Sequence, residues 1–146
     1  MIALNQVSVF LENKYGTLTQ VLECLAKEDI CILAMNISDT TEYGILRMIV
    51  SDAEKAVKAL NGGKFTANLN NVIAFELGTK ASKLNEIIKC FANNGVSFNY
   101  VYSFGCGDKV ILIVRADDSN KAYSLIAQNG FKIVGTEEIQ KSICLA

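Results

Sequence analysis

Histidine is absent from the 146 residues, and with it most familiar catalytic and metal-binding arrangements. Histidine is the usual general base near neutral pH and a common zinc ligand. Without it the chain can form neither a Ser-His nor a Cys-His nucleophile pair. We therefore expect a function without a catalytic residue, a metal or a cofactor.

A surplus of one charge and a long apolar run are also lacking. Fourteen basic and fifteen acidic residues give a net charge of −1, so general attraction to nucleic acid or to an anionic membrane is missing. The longest apolar run, Val110 to Val114, has five residues, whereas a membrane-spanning helix needs about 20. We expect neither nucleic acid nor membrane as a partner.

The five cysteines form no C-x-x-C pair, and five is an odd number for a disulfide framework. This cysteine pattern fits a protein of a reducing compartment. Since the segment Met1 to Gln6 does not resemble the start of a signal peptide either, we expect a cytoplasmic protein. Cys24 and Cys90 lie next to apolar helix stripes, and we expect both to be buried and slow to react. Cys106, between two glycines, is either an exposed thiol or a turn residue without a role.

An internal repeat organises the chain, which is 51% hydrophobic and 20% charged and therefore globular. A shift of 66 residues aligns 7–68 with 73–134 without a gap and gives eleven identities in 62 positions. Chance would give roughly four at this composition. Two copies of one unit follow, and we place the domains at 1–69 and 70–146.

Each copy shows the same order of hydrophobic periods. In the first copy alternation over 7–12 predicts a strand, and apolar residues at helical spacing predict a helix over 17–28, with Thr17 and Gln20 as a capping box. Strands over 30–38 and 43–50, a helix from 51 to 62 and a strand from Phe65 follow. In the second copy, Ser82 could cap the first helix. The order is β-α-β-β-α-β, twice.

This order predicts an α+β fold of two split β-α-β units, each an antiparallel sheet with both helices on one face. One copy alone would be marginally stable, so we expect the two to pack side by side into one antiparallel sheet. Asn68 to Asn71 looks like a brief polar bend between them. The apolar strands that follow the first helix of each copy are expected to pair edge to edge.

The fold hosts several functions, so the residues must discriminate among them. A metal chaperone needs a C-x-x-C in the first loop, and an acyl phosphatase needs an arginine there; neither copy has either. An RNA reader needs basic charge around aromatic residues. Phe98, Tyr100 and Tyr102 alternate suitably, but the chain is slightly acidic, and ordinary packing is the preferred interpretation.

Three stretches of the sequence are similar to one known family. The segment 11–18, LENKYGTL, resembles the first loop of ACT domains. The segments 37–52 and 95–104 resemble strands of small bacterial proteins that consist of two ACT domains. The resemblance covers nearly the whole chain and implies two ferredoxin-like ACT units. It further implies an amino-acid-binding, allosteric regulatory protein. We expect this protein to form a homodimer and to regulate a further, unidentified protein partner.

ACT domains commonly bind amino acids at the junction of two copies, with the first loop of one and the following strand of the other. Gly16 would let a ligand approach the backbone, and the first N–H groups of the next helix suit a carboxylate. The residues so implied are Asn13, Lys14, Tyr15, Gly16, Thr17 and Leu18 in the loop, and Ser97, Asn99, Tyr100, Tyr102 and Phe104 in the strand.

The sequence departs from the family pattern at several positions. Tyr15 replaces proline, and in the second copy Thr79, Ala81 and Ser82 replace the amide, proline and glycine of the loop. The second loop is therefore expected to be degraded, which leaves one competent site. At the strand start Ser97 keeps a polar group, whereas Cys31 is expected to pack.

Two other functions stay open. One is an assembly or interaction module that has lost ligand binding, which the damaged second loop and the open strand edges would suit. The other is an enzyme that uses Lys14, Lys80, Asp39, Tyr43 or Cys106, although no spacing pairs a nucleophile with a base. Gly16 also fits an ordinary tight turn before a helix, and Asn13 fits a solvated loop residue, so both alternatives to ligand binding stay open.

Overall fold

The computed structural model describes residues 4–39 and 42–143. Within them, seven strands and five helices follow one another along the chain. They are β1 (Leu4–Glu12), α1 (Thr17–Lys27), β2 (Ile32–Asp39), β3 (Tyr43–Val50), α2 (Ala53–Gly62), β4 (Ala67–Leu77), α3 (Ala81–Asn93), β5 (Phe98–Cys106), β6 (Lys109–Ala116), α4 (Ser119–Gln128), β7 (Ile133–Val134) and α5 (Thr136–Ile143).

The chain divides into two compact units, the first of Asn5–Asn70 and the second beginning at Asn71. Every strand pairing is antiparallel, in the order β2-β3-β1-β4 for the first unit and β4-β6-β5 for the second, with β7 also beside β4. The expected α+β class and the two β-α-β-β-α-β units are confirmed. The domain limits 1–69 and 70–146 stay a prediction.

Each unit has its own core between one sheet face and two helices. In the first, Val9 of β1 and Leu46 of β3 are paired and pack with Leu25 of α1 and Leu60 of α2. In the second, the residues 66 positions later fill the same places: Phe75, Leu112, Phe91 and Ile126. Alternation along the strands therefore places one set of side chains against the helices, as the hydrophobic pattern predicted.

Core volume is distributed differently in the two units. Phe75 and Phe91 of the second unit stand where the first has Val9 and Leu25, while smaller residues replace Met48 and Val50. The enlargements and reductions offset one another, which is how cores tolerate several substitutions together. The two units can thus keep the same backbone arrangement with few identical residues.

Several local predictions are wrong. Asn68–Asn71 is not a bend, because β4 continues through it as one strand of 11 residues. Gly16, without a side-chain cap, precedes α1 in place of the predicted capping box. Ser82 lies inside α3, whose cap position is Lys80.

The prediction that the strands after the first helices pair with each other is also wrong. β2 pairs with β3 and β5 pairs with β6, so each lies at one end of its unit's strand order. Both contain a bulge at the same repeat position, between Ile32 and Ala34 and between Phe98 and Tyr100.

Helix α5 follows the repeat and was not expected from it. The Cys106 thiol at the end of β5 approaches the Ile139 carbonyl oxygen of α5 at 3.9 Å. Ser103 of β5 pairs with the core residue Leu112, so Cys106, three positions on, lies on the other face. Helix α5 therefore covers the sheet face opposite α3 and α4.

In residues 4–39 and 42–143 no helix combines the length and apolar character required to cross a membrane.

Candidate functional site

The first loop joins β1 to α1 through a short hydrogen-bonded turn. The Asn13 N–H donates to the Glu42 carbonyl oxygen at 3.2 Å, which ties the loop to the start of β3. The Lys14 N–H donates to the Glu12 carbonyl oxygen at 2.8 Å. The loop is thus held at both sides by main-chain bonds while its side chains stay exposed.

Gly16 allows α1 to begin where it does. Its φ of +83° lies in the left-handed region, which glycine adopts without the penalty that a Cβ brings. No atom lies within 4 Å of the position that a Cβ would occupy. The glycine is therefore required by the backbone conformation, and the space in front of it is open.

The first amides of α1 remain available. The Thr17 N–H and hydroxyl both donate to the Lys14 carbonyl oxygen, at 3.4 and 3.1 Å. The intrahelical bonds begin with the Gln20 N–H, which donates to the Gly16 carbonyl oxygen at 3.1 Å. The N–H groups of Leu18 and Thr19 come before it and have no acceptor within the helix. A helix start of this kind suits a carboxylate.

A cavity of about 190 Å³ lies beside this helix start. Four of the predicted loop residues line it: Asn13, Lys14, Thr17 and Leu18. Its other walls were not predicted as site residues, and they are Leu11, Glu12, Ile37 and Gly44. The pairing of Ile37 with the core residue Leu46 is the signal that places Ile37 on the helix side of the sheet.

Two predicted loop residues lie off this cavity. Tyr15 is fully exposed and lines a separate cavity of about 470 Å³, together with Phe10, Lys64 and Phe65. Gly16 lines neither and acts through the backbone. Glu12, Lys14 and Thr17 line both cavities, so the two cavities share part of the loop.

Glu12 and Lys14 form an ion pair at the mouth of the cavity, with Nζ 2.8 Å from Oε2. The hydrogen bond from the Lys14 ammonium lowers the pKa of Glu12, and the same bond raises the pKa of Lys14. Both groups are solvent-exposed, so the pair contributes little to stability. Its ammonium is well placed to turn to an anion that enters the cavity.

The second loop has a different geometry. Helix α3 begins at Ala81, which corresponds to Tyr15 in the repeat, so it starts two residues earlier than α1. Lys80 precedes it in extended conformation, with φ −78° and ψ 132°. Ser82, the counterpart of Gly16, is therefore part of the helix. The loop that carries the cavity in the first unit is shortened in the second.

The predicted strand residues fall into three groups. Ser97 bonds within its own unit, since its N–H and hydroxyl donate to the two Asp117 carboxylate oxygens at 3.0 Å each. These bonds, the hydroxyl foremost, lower the pKa of Asp117. Asn99 is exposed at the bulge of β5.

The aromatic residues of β5 form the third group. The rings of Tyr100 and Tyr102 stack with centroids 6.5 Å apart. Tyr102 and Phe104 pair with Ile113 and Ile111 of β6, whereas Ser103 between them pairs with the core residue Leu112. The aromatic side chains therefore lie on the face away from α3 and α4. In the first unit the loop cavity lies on the helix side of the sheet.

The cysteines differ from their predicted environments. Cys24 and Cys90 are half-buried, and Cys31, expected to pack, is exposed. Cys106, read from the sequence as an exposed thiol or a turn residue, is buried at a strand end. Cys144 lies outside the described residues. Within those residues no group of three or more acidic or cysteine side chains is arranged to hold a metal ion.

The chain folds as two repeated α+β units of the ferredoxin-like type. In the first unit, helix α1 begins after a glycine and its first amides lie beside a small cavity. A family model described as an ACT domain pair matches residues 2–143. The chain belongs to this family, which confirms the resemblance found in the sequence.

Solved structures agree with this assignment. The chain is similar to protein BT0572 from Bacteroides thetaiotaomicron, with 32% identity, coverage of 96% of this chain and 97% of that one, and a TM-score of 0.89. It shares the fold of the ligand-free regulatory subunit of aspartate kinase from Thermus thermophilus, at 15% identity, 88% and 94% coverage and a TM-score of 0.61. It also shares the fold of the regulatory subunit of aspartate kinase from Thermus flavus, at 14% identity, with coverage of 88% of this chain and 93% of that one and a TM-score of 0.61. No curated protein matches the chain.

Proposed function

We propose that this chain is a non-catalytic regulatory protein that binds a free amino acid at the first loop of its first unit. The observation that carries the proposal is the glycine-started helix α1: its Leu18 and Thr19 amides have no acceptor within the helix, and Leu18 lines the 190 Å³ cavity. An ACT domain pair is typical of amino-acid-binding regulatory proteins, and structural neighbours include regulatory subunits of aspartate kinase.

Each part of an amino acid has a suitable partner at this loop. The amides of Leu18 and Thr19 and the Lys14 ammonium can receive the carboxylate. Glu12 and the Asn13 side chain offer oxygens for the ammonium. Leu11, Leu18 and Ile37 provide apolar walls for a side chain. That β5 supplies further contacts through Ser97 to Phe104 stays a prediction.

A thermal-shift measurement against the twenty amino acids tests the proposal. A ligand at 100 times its Kd adds about 2.7 kcal/mol to the free energy of unfolding, which a thermal scan detects easily. A hit is then titrated by calorimetry against the wild-type chain. The absence of any stabilisation at millimolar concentrations would contradict amino-acid binding.

The edge strands favour assembly as a second function, with or without a ligand. β2 and β5 contain no lysine, arginine or proline, the residues with which proteins usually protect an open edge. Met35 of β2 and Val101 of β5, which are equivalent in the repeat, are 44% and 37% exposed. We propose a homo-oligomer, in the simplest case a dimer, formed through these edges.

Single lysines test the assembly. Met35→Lys and Val101→Lys should each lower the association constant, because a charge would enter the new strand pairing. Leu69→Lys is the matched control, since Leu69 is also 37% exposed but lies in β4. Sedimentation velocity across a concentration series measures the effect. A wild-type chain that stays monomeric, or an equal effect of all three changes, would contradict assembly through β2 and β5.

A further inference from the structure

Gly44 of β3 lines the 190 Å³ cavity beside the first loop. It is buried and pairs with Leu11 of β1, which is 7% exposed and lines the same cavity. Leu46, two positions further along β3, belongs to the core of the first unit, so a side chain at position 44 would also point to the helix side of the sheet. The inner walls are thus buried, whereas the Ile37 wall is 44% exposed and leaves an entrance from solvent.

The backbone does not require a glycine at position 44. In residues 4–39 and 42–143 the glycines with positive φ are Gly16, Gly95, Gly107 and Gly130. At Gly44 the register of β3 with β1 is uninterrupted, so the residue is not part of a bulge. A glycine inside a strand destabilises it relative to a residue with a side chain, and such a glycine often marks a place where a ligand comes close.

The second unit shows that this sheet position accepts a side chain. Val110, 66 positions after Gly44, pairs with Leu77 as Gly44 pairs with Leu11. The cavity of the first unit has room for about six water molecules at about 30 Å³ each, and a valine side chain, whose carbons are each about as large as a water, would fill roughly half of it. The absence of a side chain at Gly44 therefore decides how much of the cavity is open.

We propose that Gly44 sets the size of the side chain that the first-loop site accepts, and that the ligand is an amino acid with an aliphatic side chain. The ligand side chain lies against the apolar walls Leu11, Leu18 and Ile37. Its end reaches Gly44, where the missing Cβ leaves space. This inference rests on the proposed function and adds the class of the ligand.

A series of amino acids from alanine through 2-aminobutanoate and norvaline to norleucine tests this inference by calorimetry on the full-length chain. Wild-type affinity should rise about fourfold per added methylene. Gly44→Val should leave alanine binding nearly unchanged and weaken norleucine binding by more than about tenfold, because the valine occupies the space of the longer side chains. Gly44→Ala should give a smaller loss, confined to norleucine. Equal weakening across the series, or no weakening, would overturn the role of Gly44.

Gly105→Val is the matched control. Gly105 is also a strand glycine, in β5, with a φ outside the positive range and no atom within 4 Å of the position that a Cβ would occupy. This variant should leave the affinities of the whole series unchanged. Without ligand, Gly44→Ala should not lower the melting temperature, because its Cβ enters the cavity. A lower melting temperature would show that packing requires the glycine and would overturn the proposal.

Lysine is the competing ligand, since Asp39 pairs with Gly44 at the end of β2. Tighter binding of lysine than of norleucine would overturn the aliphatic class. If the series does not bind to the wild-type chain while another amino acid stabilises it, the aliphatic class is wrong and the proposed function stands. If no amino acid binds, both are wrong.

Discussion

The two units share a core but differ at the loop before their first helix. α1 begins after Gly16 at positive φ, whereas α3 begins two repeat positions earlier, after an extended Lys80. Core positions must fill a fixed volume between sheet and helices, so their changes offset one another. A surface loop has no such restriction, and here one copy kept an open helix start while the other converted it into helix.

The face opposite the paired helices differs as well. In the first unit the rings of Phe10 and Tyr43 contact each other on this face, with centroids 5.4 Å apart and planes tilted by 45°, and both residues are exposed. Their repeat counterparts Glu76 and Lys109 form an ion pair, with the Lys109 Nζ 2.9 Å from the Glu76 Oε1. The two repeated scaffolds thus carry different surface chemistry on this face.

The largest effect is expected at Gly16. Gly16→Val should weaken binding of the amino acid found by thermal shift by well over tenfold, because it forces a β-branched residue into positive φ and thereby shifts the backbone that presents the first α1 amides. Isothermal titration calorimetry measures the change. Ser82→Val, at the equivalent position of the second unit, should have little effect on binding.

Gly130→Val provides the control for backbone strain. Gly130 has φ +80°, and no atom lies within 4 Å of the position that its Cβ would occupy, as at Gly16, so both variants should lose similar stability in thermal unfolding. Only Gly16→Val should lose affinity. If Gly130→Val or Ser82→Val weakened binding equally, the difference between the two loops would have no functional meaning.

The second effect concerns the helix end that packs on Cys24. A Cβ on Gly63 would lie 2.9 Å from the Cys24 sulfur, so Gly63→Ala should lower the free energy of unfolding by about 1–3 kcal/mol. Cys24→Ala should restore most of this loss in the double variant. Gly62→Ala, with no atom within 4 Å, is the control. Denaturant unfolding measures the free energy of unfolding of the three single variants and the double variant. If the losses from Gly63→Ala and Cys24→Ala simply added in the double variant, the contact would be contradicted.

The sequence predicts the repeated scaffold well because the hydrophobic period states which residues face the core. It does not predict the start of α3, since that depends on whether the 79–82 segment has a lower free energy as helix than as loop. Helix α5 lies beyond the repeat, so self-similarity carries no information about it. Of the site, the loop residues Asn13 to Leu18 were accessible to sequence reasoning, whereas Ile37 required the register of β2 on β3.

The helix caps should show where the two units remain equal. Asp52 accepts from the Lys55 N–H at 3.1 Å and Asp118 from the Lys121 N–H at 3.0 Å, at equivalent repeat positions. Asp52→Ala and Asp118→Ala should each lower the free energy of unfolding by about 1 kcal/mol. Chemical denaturation compares them directly. A clearly larger loss from one variant would show that the caps carry different weight despite their equal geometry.

The smallest effect distinguishes the strand starts of the two units by charge. In the second unit Ser97 bonds the Asp117 carboxylate and lowers its pKa; in the first unit the Cys31 N–H donates to the neutral Ser51 hydroxyl. A lowered folded-state pKa stabilises the fold above the unfolded pKa of Asp117, and this contribution disappears as pH falls through the folded value. Ser97→Ala should therefore raise the pKa of Asp117 and slightly lower the free energy of unfolding at neutral pH but not in acid. Ser51→Ala should change the free energy of unfolding by the same amount at neutral pH and in acid. Carboxyl NMR titration with unfolding at two pH values tests this, and a loss from Ser97→Ala that persists in acid would show that the bond does not act through the charge of Asp117.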